Sequence, residues 1–201
     1  MIIVRKYTRI AAYTLVAVAG VLFAGTGCSS DSTPAIIARA DTTASAQAKT
    51  AMYPIGQAEQ FDTVQVAAFY SQPATMEPAM GLSAADSDIH LESEVTALPN
   101  NHLGFAAGEW IPYLTIDYQI TAPDGTTSKG DLMPMTGSCG QHYGSNVKLG
   151  AAGTYKISYT VHSPVDNGFM VHVDPATGVT GHFWTTPLQA SWDFNYLPRK
   201  W

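Results

Sequence analysis

From about residue 50 onward the sequence alternates apolar and polar residues in short runs, and no stretch there keeps a helical period. Fourteen of the chain's 17 glycines and 11 of its 12 prolines fall there and punctuate those runs at intervals of roughly ten residues. A period of two sends successive side chains to opposite faces, so each run can bury one face and wet the other. Val64–Tyr70, Asp88–Leu98, Tyr113–Thr121, Thr154–His162, Phe169–Val173 and Ala190–Tyr196 read as strands of this kind. In the second, Ile89, Leu91 and Val95 share one face, and His90, Glu92, Glu94 and Thr96 the other. Ala122-Pro123-Asp124-Gly125 is a turn, with Pro fixing φ and Gly tolerating its positive values. About seven short antiparallel strands predict an all-β fold, an immunoglobulin-like β-sandwich, with a small barrel as the alternative. Neither architecture fixes a function.

The first residues read as an address. Arg5, Lys6 and Arg9 form a positive segment, Ile10–Phe23 is an apolar run, and small residues lead to Gly25-Thr26-Gly27-Cys28. This is the order of a bacterial export signal. The run is short for a spanning helix, which needs ~20 residues. Small residues before Cys28 point to lipoprotein processing at that cysteine, although Gly25 stands where the usual motif has Leu; an uncleaved anchor and a plain secretory signal are the alternatives. All three place the domain outside the cytoplasmic membrane, in the periplasm or at the cell surface. The predicted organisation is therefore a signal peptide over 1–27, a flexible Ser/Thr/Ala/Asp-rich tether over 28–50, and one globular domain over 51–201.

Lys and Arg number 10 against 16 Asp and Glu. Without the three basic residues of the first nine positions, 7 basic residues face 16 acidic ones, a net charge of −9. That balance argues against a nucleic-acid partner and fits a protein that handles cations. Two cysteines, Cys28 and Cys139, exclude a disulfide scaffold and an all-cysteine metal site.

Chemistry concentrates in the six histidines and seven methionines. Strand geometry sends His90 and Glu92 from one face, and Met133 and Met135 from one face across Pro134. His142 follows the Gly137–Gln141 loop, which the composition makes flexible enough to return the ring over the sheet. His172 takes the polar side of Phe169–Val173, beside Met170. Taken alone, a strand His–Glu pair is more often a solvated face than a ligand pair, Met133 and Met135 would usually be core filler, and His172 would be a surface residue.

Taken in order, Asp88-Ile89-His90-Leu91-Glu92, Gly108-Glu109-Trp110-Ile111-Pro112-Tyr113-Leu114, Met133-Pro134-Met135 with His142-Tyr143-Gly144, Gly153-Thr154-Tyr155-Lys156 and Val171–Val179 closely resemble the periplasmic iron-transport cuproprotein family, which includes the treponemal membrane-antigen lipoproteins. The resemblance runs from Tyr53 to Tyr196. It implies an immunoglobulin-like sandwich, a homodimer and a role in iron uptake beside a membrane iron permease. It implies a metal site of His90, Met135, His142 and His172, with Glu92 as a further ligand in some metal states and Met80 and Met133 nearby. Copper is the implied metal, with zinc or manganese as substitutes.

The donor types agree with that implication. Imidazole and thioether suit copper, and Glu92 adds a hard oxygen for a divalent ion such as Fe(II) or Mn(II). One arrangement has copper in the His/Met pocket tuning the redox state of an iron ion engaged through Glu92. Cys139, three residues before His142, departs from the family pattern and reads as a thiol near the site or an intermolecular disulfide partner. Trp110 reads as packing and Glu109 as a neighbour of the site; His162 reads as structural, His102 as exposed, and His182 as a neighbour of the site or of a dimer edge. Besides a metal-binding accessory to iron uptake, the sequence leaves open a metal-dependent oxidoreductase acting on Fe(II) and a surface adhesin binding a host glycoprotein.

Overall fold

The computed structural model describes residues 50–201, and the export segment, Cys28 and the tether up to residue 49 lie outside them. Among the described residues there are eight strands: β1 (Tyr53–Gln60), β2 (Val64–Ser71), β3 (Ile89–Ala97), β4 (Ile116–Thr121), β5 (Thr127–Gly137), β6 (Gly140–Val147), β7 (Gly153–Val161) and β8 (Leu188–Tyr196). Every ladder is antiparallel, in the order β1-β2-β3-β6-β5-β4-β7-β8. The architecture is the all-β immunoglobulin-like sandwich that the alternation predicts.

β5 belongs to both layers. Up to Leu132 it pairs with β4, and from Met133 onward with β6. Pro134, which has no N–H to give a ladder, sits just past the crossing. At the opposite side the layers are joined by side chains: Trp192 Nε1 donates to the Gln57 carbonyl (2.7 Å), and the Ser191 N–H donates to Glu59 Oε1 (2.8 Å).

The core follows directly from the period of two. Ile89, Leu91 and Val95 of β3 and Tyr143 of β6 point inward, meeting Ile116, Ile157, Tyr159 and Val161 from the second layer. Two tyrosines bring hydroxyls into this interior and satisfy them. Tyr143 Oη donates to the Ile111 carbonyl (2.9 Å) and accepts the Leu114 N–H (3.0 Å). Tyr159 Oη donates to the Glu92 carbonyl at 3.1 Å, tying the second layer to β3 directly behind a predicted site residue. Trp110 packs as the sequence suggests, its ring stacked on Tyr143 at 5.0 Å.

The structure corrects three local readings. β4 begins at Ile116 and not at Tyr113, because Tyr113 has φ of +62°, outside the strand region. Phe169–Val173 is not a strand. Its alternation serves a satellite aromatic cluster, in which Phe169 meets Phe105, Tyr113 and Phe183 at 5.5–6.1 Å, and its other side is open to solvent. The Gly137–Gln141 segment is a tight hairpin, with Gly137 and Gly140 paired across Ser138 and Cys139 and Gly140 at φ +115°. His142 therefore needs no flexible loop: it is a strand residue held by the β6 ladder.

Candidate metal centre

The outward face of the first layer carries the site. On β3 the residues that alternate with the core are His90, Glu92 and Glu94. Cross-strand partners share a face, so the register adds Ser71 opposite His90, Gly144 opposite Glu92, and Asn146 opposite His90. On β5 and β6, Met135 stands opposite His142 and Met133 opposite Gly144. An outward sheet face is ordinarily wet, yet His90, Glu92 and His142 are 2%, 5% and 8% exposed. The connection from β2 to β3, residues 72–88, crosses above this face and makes one wall of an open cleft of about 970 Å³.

His90, Glu92 and His142 offer ligand atoms that lie within 4.8 Å of one another. The hydrogen bonds around them fix which atoms are available. Asn146 Nδ2 donates to the carbonyls of Ala74 (2.7 Å) and Leu82 (3.0 Å), and its Oδ1 accepts the Ala74 N–H (3.0 Å). Carbonyls only accept, so the amide orientation is set and its oxygen faces His90 Nδ1 at 3.0 Å. Nδ1 must carry the proton, and Nε2 keeps its lone pair. That Nε2 is buried and has no hydrogen-bond partner among the described residues. His142 repeats the arrangement: Nδ1 donates to the Gly140 carbonyl (3.2 Å), which frees Nε2. His142 Nε2 then lies 3.8 Å from Glu92 Oε2, too far for a hydrogen bond, while Ser71 Oγ donates to the other carboxylate oxygen at 2.7 Å.

Three electron-pair donors thus face one another with no proton between them. Left so, they repel and two imidazoles stay desolvated; a cation among them resolves both. Burial holds the His90 pKa below the ordinary histidine value, with the nearby His142 adding to it, against the Asn146 hydrogen bond and the Glu92 charge. A neutral imidazole is the form that ligates. Glu94, further along the face, has its carboxyl raised by burial and by the Glu92 charge, and His142 partly offsets this.

Gly144 makes the space. A Cβ there would lie 2.5 Å from His90 Nε2, 3.0 Å from its Cε1 and 3.3 Å from His142 Cδ2. The two rings meet edge to face over this glycine with centroids 5.8 Å apart.

Of the residues singled out from sequence, His90, Glu92, Met135, His142, Met80, Met133 and Cys139 all line this cleft. Met135 is half-buried beside His142, whereas Met80 and Met133 are 50% and 39% exposed. Cys139, at the hairpin tip, places Sγ 3.9 Å from the Thr50 carbonyl. His172 does not line the cleft; it is exposed on the loop between Gly168 and β8. Glu109 is exposed and caps a turn by accepting the Ala106 N–H (2.7 Å). His162 pairs with Asp117 on the second layer (2.9 Å), and His102 and His182 are exposed. Sequence reasoning missed Ser71 and Asn146, whose types are ordinary and whose roles come only from register. Gly144 was within reach, since a glycine in mid-strand signals a close approach.

Among the described residues no helix is long and apolar enough to cross a membrane. A family model described as Fe2+ transport protein matches residues 49–197. A UPF0423 protein of Brucella abortus is 44% identical over 148 residues, 71% of this chain and 80% of that one. The 34 kDa membrane antigen of Treponema pallidum is 34% identical over 156 residues, 74% of this chain and 76% of the antigen. A copper-bound variant of FetP from uropathogenic Escherichia coli superposes with a TM-score of 0.71 at 42% identity, covering 75% of this chain and 95% of that structure. Copper-reconstituted P19 from Campylobacter jejuni gives 0.70 at 38% identity, covering 75% and 99%.

Proposed function

The chain belongs to the Fe2+ transport protein family, and we propose that within it this protein is an extracytoplasmic copper-binding component of iron uptake. One observation carries the reading: two imidazole lone pairs and a carboxylate converge within 4.8 Å, and one of those lone pairs is buried without a partner among the described residues. Copper in FetP and P19 supports it.

His90, His142 and Met135 would hold the copper, a nitrogen and thioether set suited to both oxidation states. When bound, copper supplies a one-electron couple. Glu92 adds a negative charge and a hard oxygen, which suits it to engage Fe(II) as cargo; Ser71 holds that carboxylate by one oxygen and leaves the other facing His142. Asn146 and the Gly140 carbonyl keep both rings in the ligating tautomer.

His172 is exposed beside Met170 (86% exposed) and Val173 (65%). Its place outside its own cleft fits a homodimer in which this apolar loop docks on a second copy and brings His172 to that copy's site. Export by residues 1–27, lipid attachment at Cys28 and delivery of iron to a membrane permease complete the reading.

Metal analysis tests it. His90→Ala and Met135→Leu are expected to lose copper, and Glu92→Gln to keep copper while weakening Fe(II) or Mn(II) binding. Full copper occupancy in the His90 and Met135 variants would place the site elsewhere. His172→Ala is expected to weaken copper binding without dissociating the dimer, as read by sedimentation; unchanged binding removes His172 from the ligand set.

A further inference from the structure

Methionine is usually core filler, but here it is not. No methionine belongs to the hydrophobic core of the described residues. Of the seven in the chain, Met1 lies outside those residues, and five of the other six, Met52, Met76, Met80, Met133 and Met135, line the one cleft above His90. Two of them are placed by the site's own scaffold. Residues 74–82 form a loop pinned at both ends by one side chain, since Asn146 bonds Ala74 at one end and Leu82 at the other. Met76 and Met80 each stand two residues inside those anchors, so each backbone lies within ~7 Å of a residue that touches Asn146. Asn146 is also the partner of His90. Met133 completes the juxtaposition from β5, opposite the glycine over which His90 lies.

We propose that Met76 and Met80 of the pinned loop, together with Met133, form a second metal site in this cleft, a thioether site that takes Cu(I) and is distinct from the His90–Glu92–His142 cluster. Thioethers are neutral and soft. They bind monovalent copper and silver and have little affinity for the harder Fe(II), Mn(II) or Zn(II). The cluster beneath offers nitrogen and carboxylate oxygen and accepts divalent ions. Soft monovalent ions therefore meet donors first at the sulfurs, whereas divalent ions find theirs only at the buried cluster. A purely apolar function would be served as well by leucine, and half-exposed thioethers around a cleft that ends at metal donors are better explained as ligands. The site does not require the copper reading given above, because its sulfurs are separate from the imidazoles.

Ag(I), a redox-inert stand-in for Cu(I), tests the proposal in protein carrying 13C-methyl methionine. The methyl signals of Met76 and Met80 are expected to shift on titration, and the Met76→Leu/Met80→Leu protein to bind Ag(I) at least about tenfold more weakly. Leu preserves side-chain volume, so this variant should keep the fold. Its Cu(II) absorption spectrum should match that of the unaltered protein. His142→Ala should do the reverse, losing Cu(II) and keeping the methyl shifts. Methyl signals that ignore Ag(I) in the unaltered protein, or unchanged Ag(I) affinity in the double variant, overturn the proposal and leave the methionines as an apolar docking surface. Loss of Cu(II) binding alone would instead count against the proposed copper centre.

Discussion

Each layer of the sandwich carries one histidine–carboxylate pair on its outer face. On the second layer His162 Nε2 and Asp117 Oδ2 are 2.9 Å apart, with side chains 32% and 49% exposed. On the first, His142 Nε2 and Glu92 Oε2 are 3.8 Å apart, with side chains 10% and 6% exposed. The shorter pair is the complete one: it lies within hydrogen-bond distance, and both side chains are open to solvent. The longer pair is buried and too far apart to bond, and a third donor beside it, His90 Nε2, has no hydrogen-bond partner among the described residues. Proximity alone would rank the two pairs in the wrong order. What marks a ligand set is a surplus of lone pairs where water cannot supply the missing protons.

The strongest way to break this contrast is to remove one ring from each layer. His142→Ala should lower copper affinity by at least about a hundredfold, beyond the 10–100-fold usual for partners one step removed from the metal. His162→Ala should change it less than about twofold, well under 1 kcal/mol. Calorimetric titration of both with Cu(II) checks this, and equal losses would end the distinction between the layers.

Asn146 sharpens it further, because it acts on the metal only through His90. Asn146→Ala removes the His90 contact and leaves the Ala74 N–H and the Ala74 and Leu82 carbonyls without their partner. We expect a 10–100-fold loss of copper affinity and a destabilisation of about 2–3 kcal/mol, read by titration and urea unfolding. Gly144→Ala should follow, since its Cβ would fall 2.5 Å from His90 Nε2 and the ring would be forced aside. A destabilisation of about 1–3 kcal/mol is expected, with weakened copper binding; Gly144 is not in the left-handed region, so steric conflict with the rings is the whole effect.

The fold was legible because alternation on β3, β7 and β8 is a local property that tertiary contacts did not override. The site was legible only in part. His90, Glu92 and His142 are chemically conspicuous types, and on β3 the period of two already placed His90 and Glu92 together. Asn146 and Ser71 are inconspicuous; they matter because β6 and β2 pair with β3 in one particular register. Pairing across 21 to 56 residues of sequence is not encoded in any one segment. Phe169–Val173 misled for a related reason: its apolar alternation is real, but its partners are aromatic rings and not a neighbouring strand.

The inward side of β6 provides a test of how well the two faces are insulated. Tyr143 lies between His142 and Gly144 and points the other way, with its phenol pushed up to about 12 by burial, against the Leu114 N–H bond, which favours ionisation. In the unfolded chain it ionises near 10. Above that pH the unfolded state loses its proton while the folded state keeps it, so stability is full below pH 10 and falls as pH rises toward 12. Two units correspond to about 2–3 kcal/mol. Tyr143→Phe should remove this alkaline loss, cost about 1–3 kcal/mol at neutral pH by leaving the Leu114 N–H unmatched, and leave copper affinity within about twofold. A large change in affinity would mean that the core face controls the rings.

The smallest effect belongs to the His162–Asp117 pair itself. Both side chains are substantially exposed, so the attraction acts through solvent and is screened by salt. Asp117→Asn should destabilise the fold by no more than about 1 kcal/mol, and by less as ionic strength rises. Thermal melts in low and high salt check this. A destabilisation of several kcal/mol that survives high salt would show that this pair holds the second layer together, and the contrast with the buried cluster would then be one of degree.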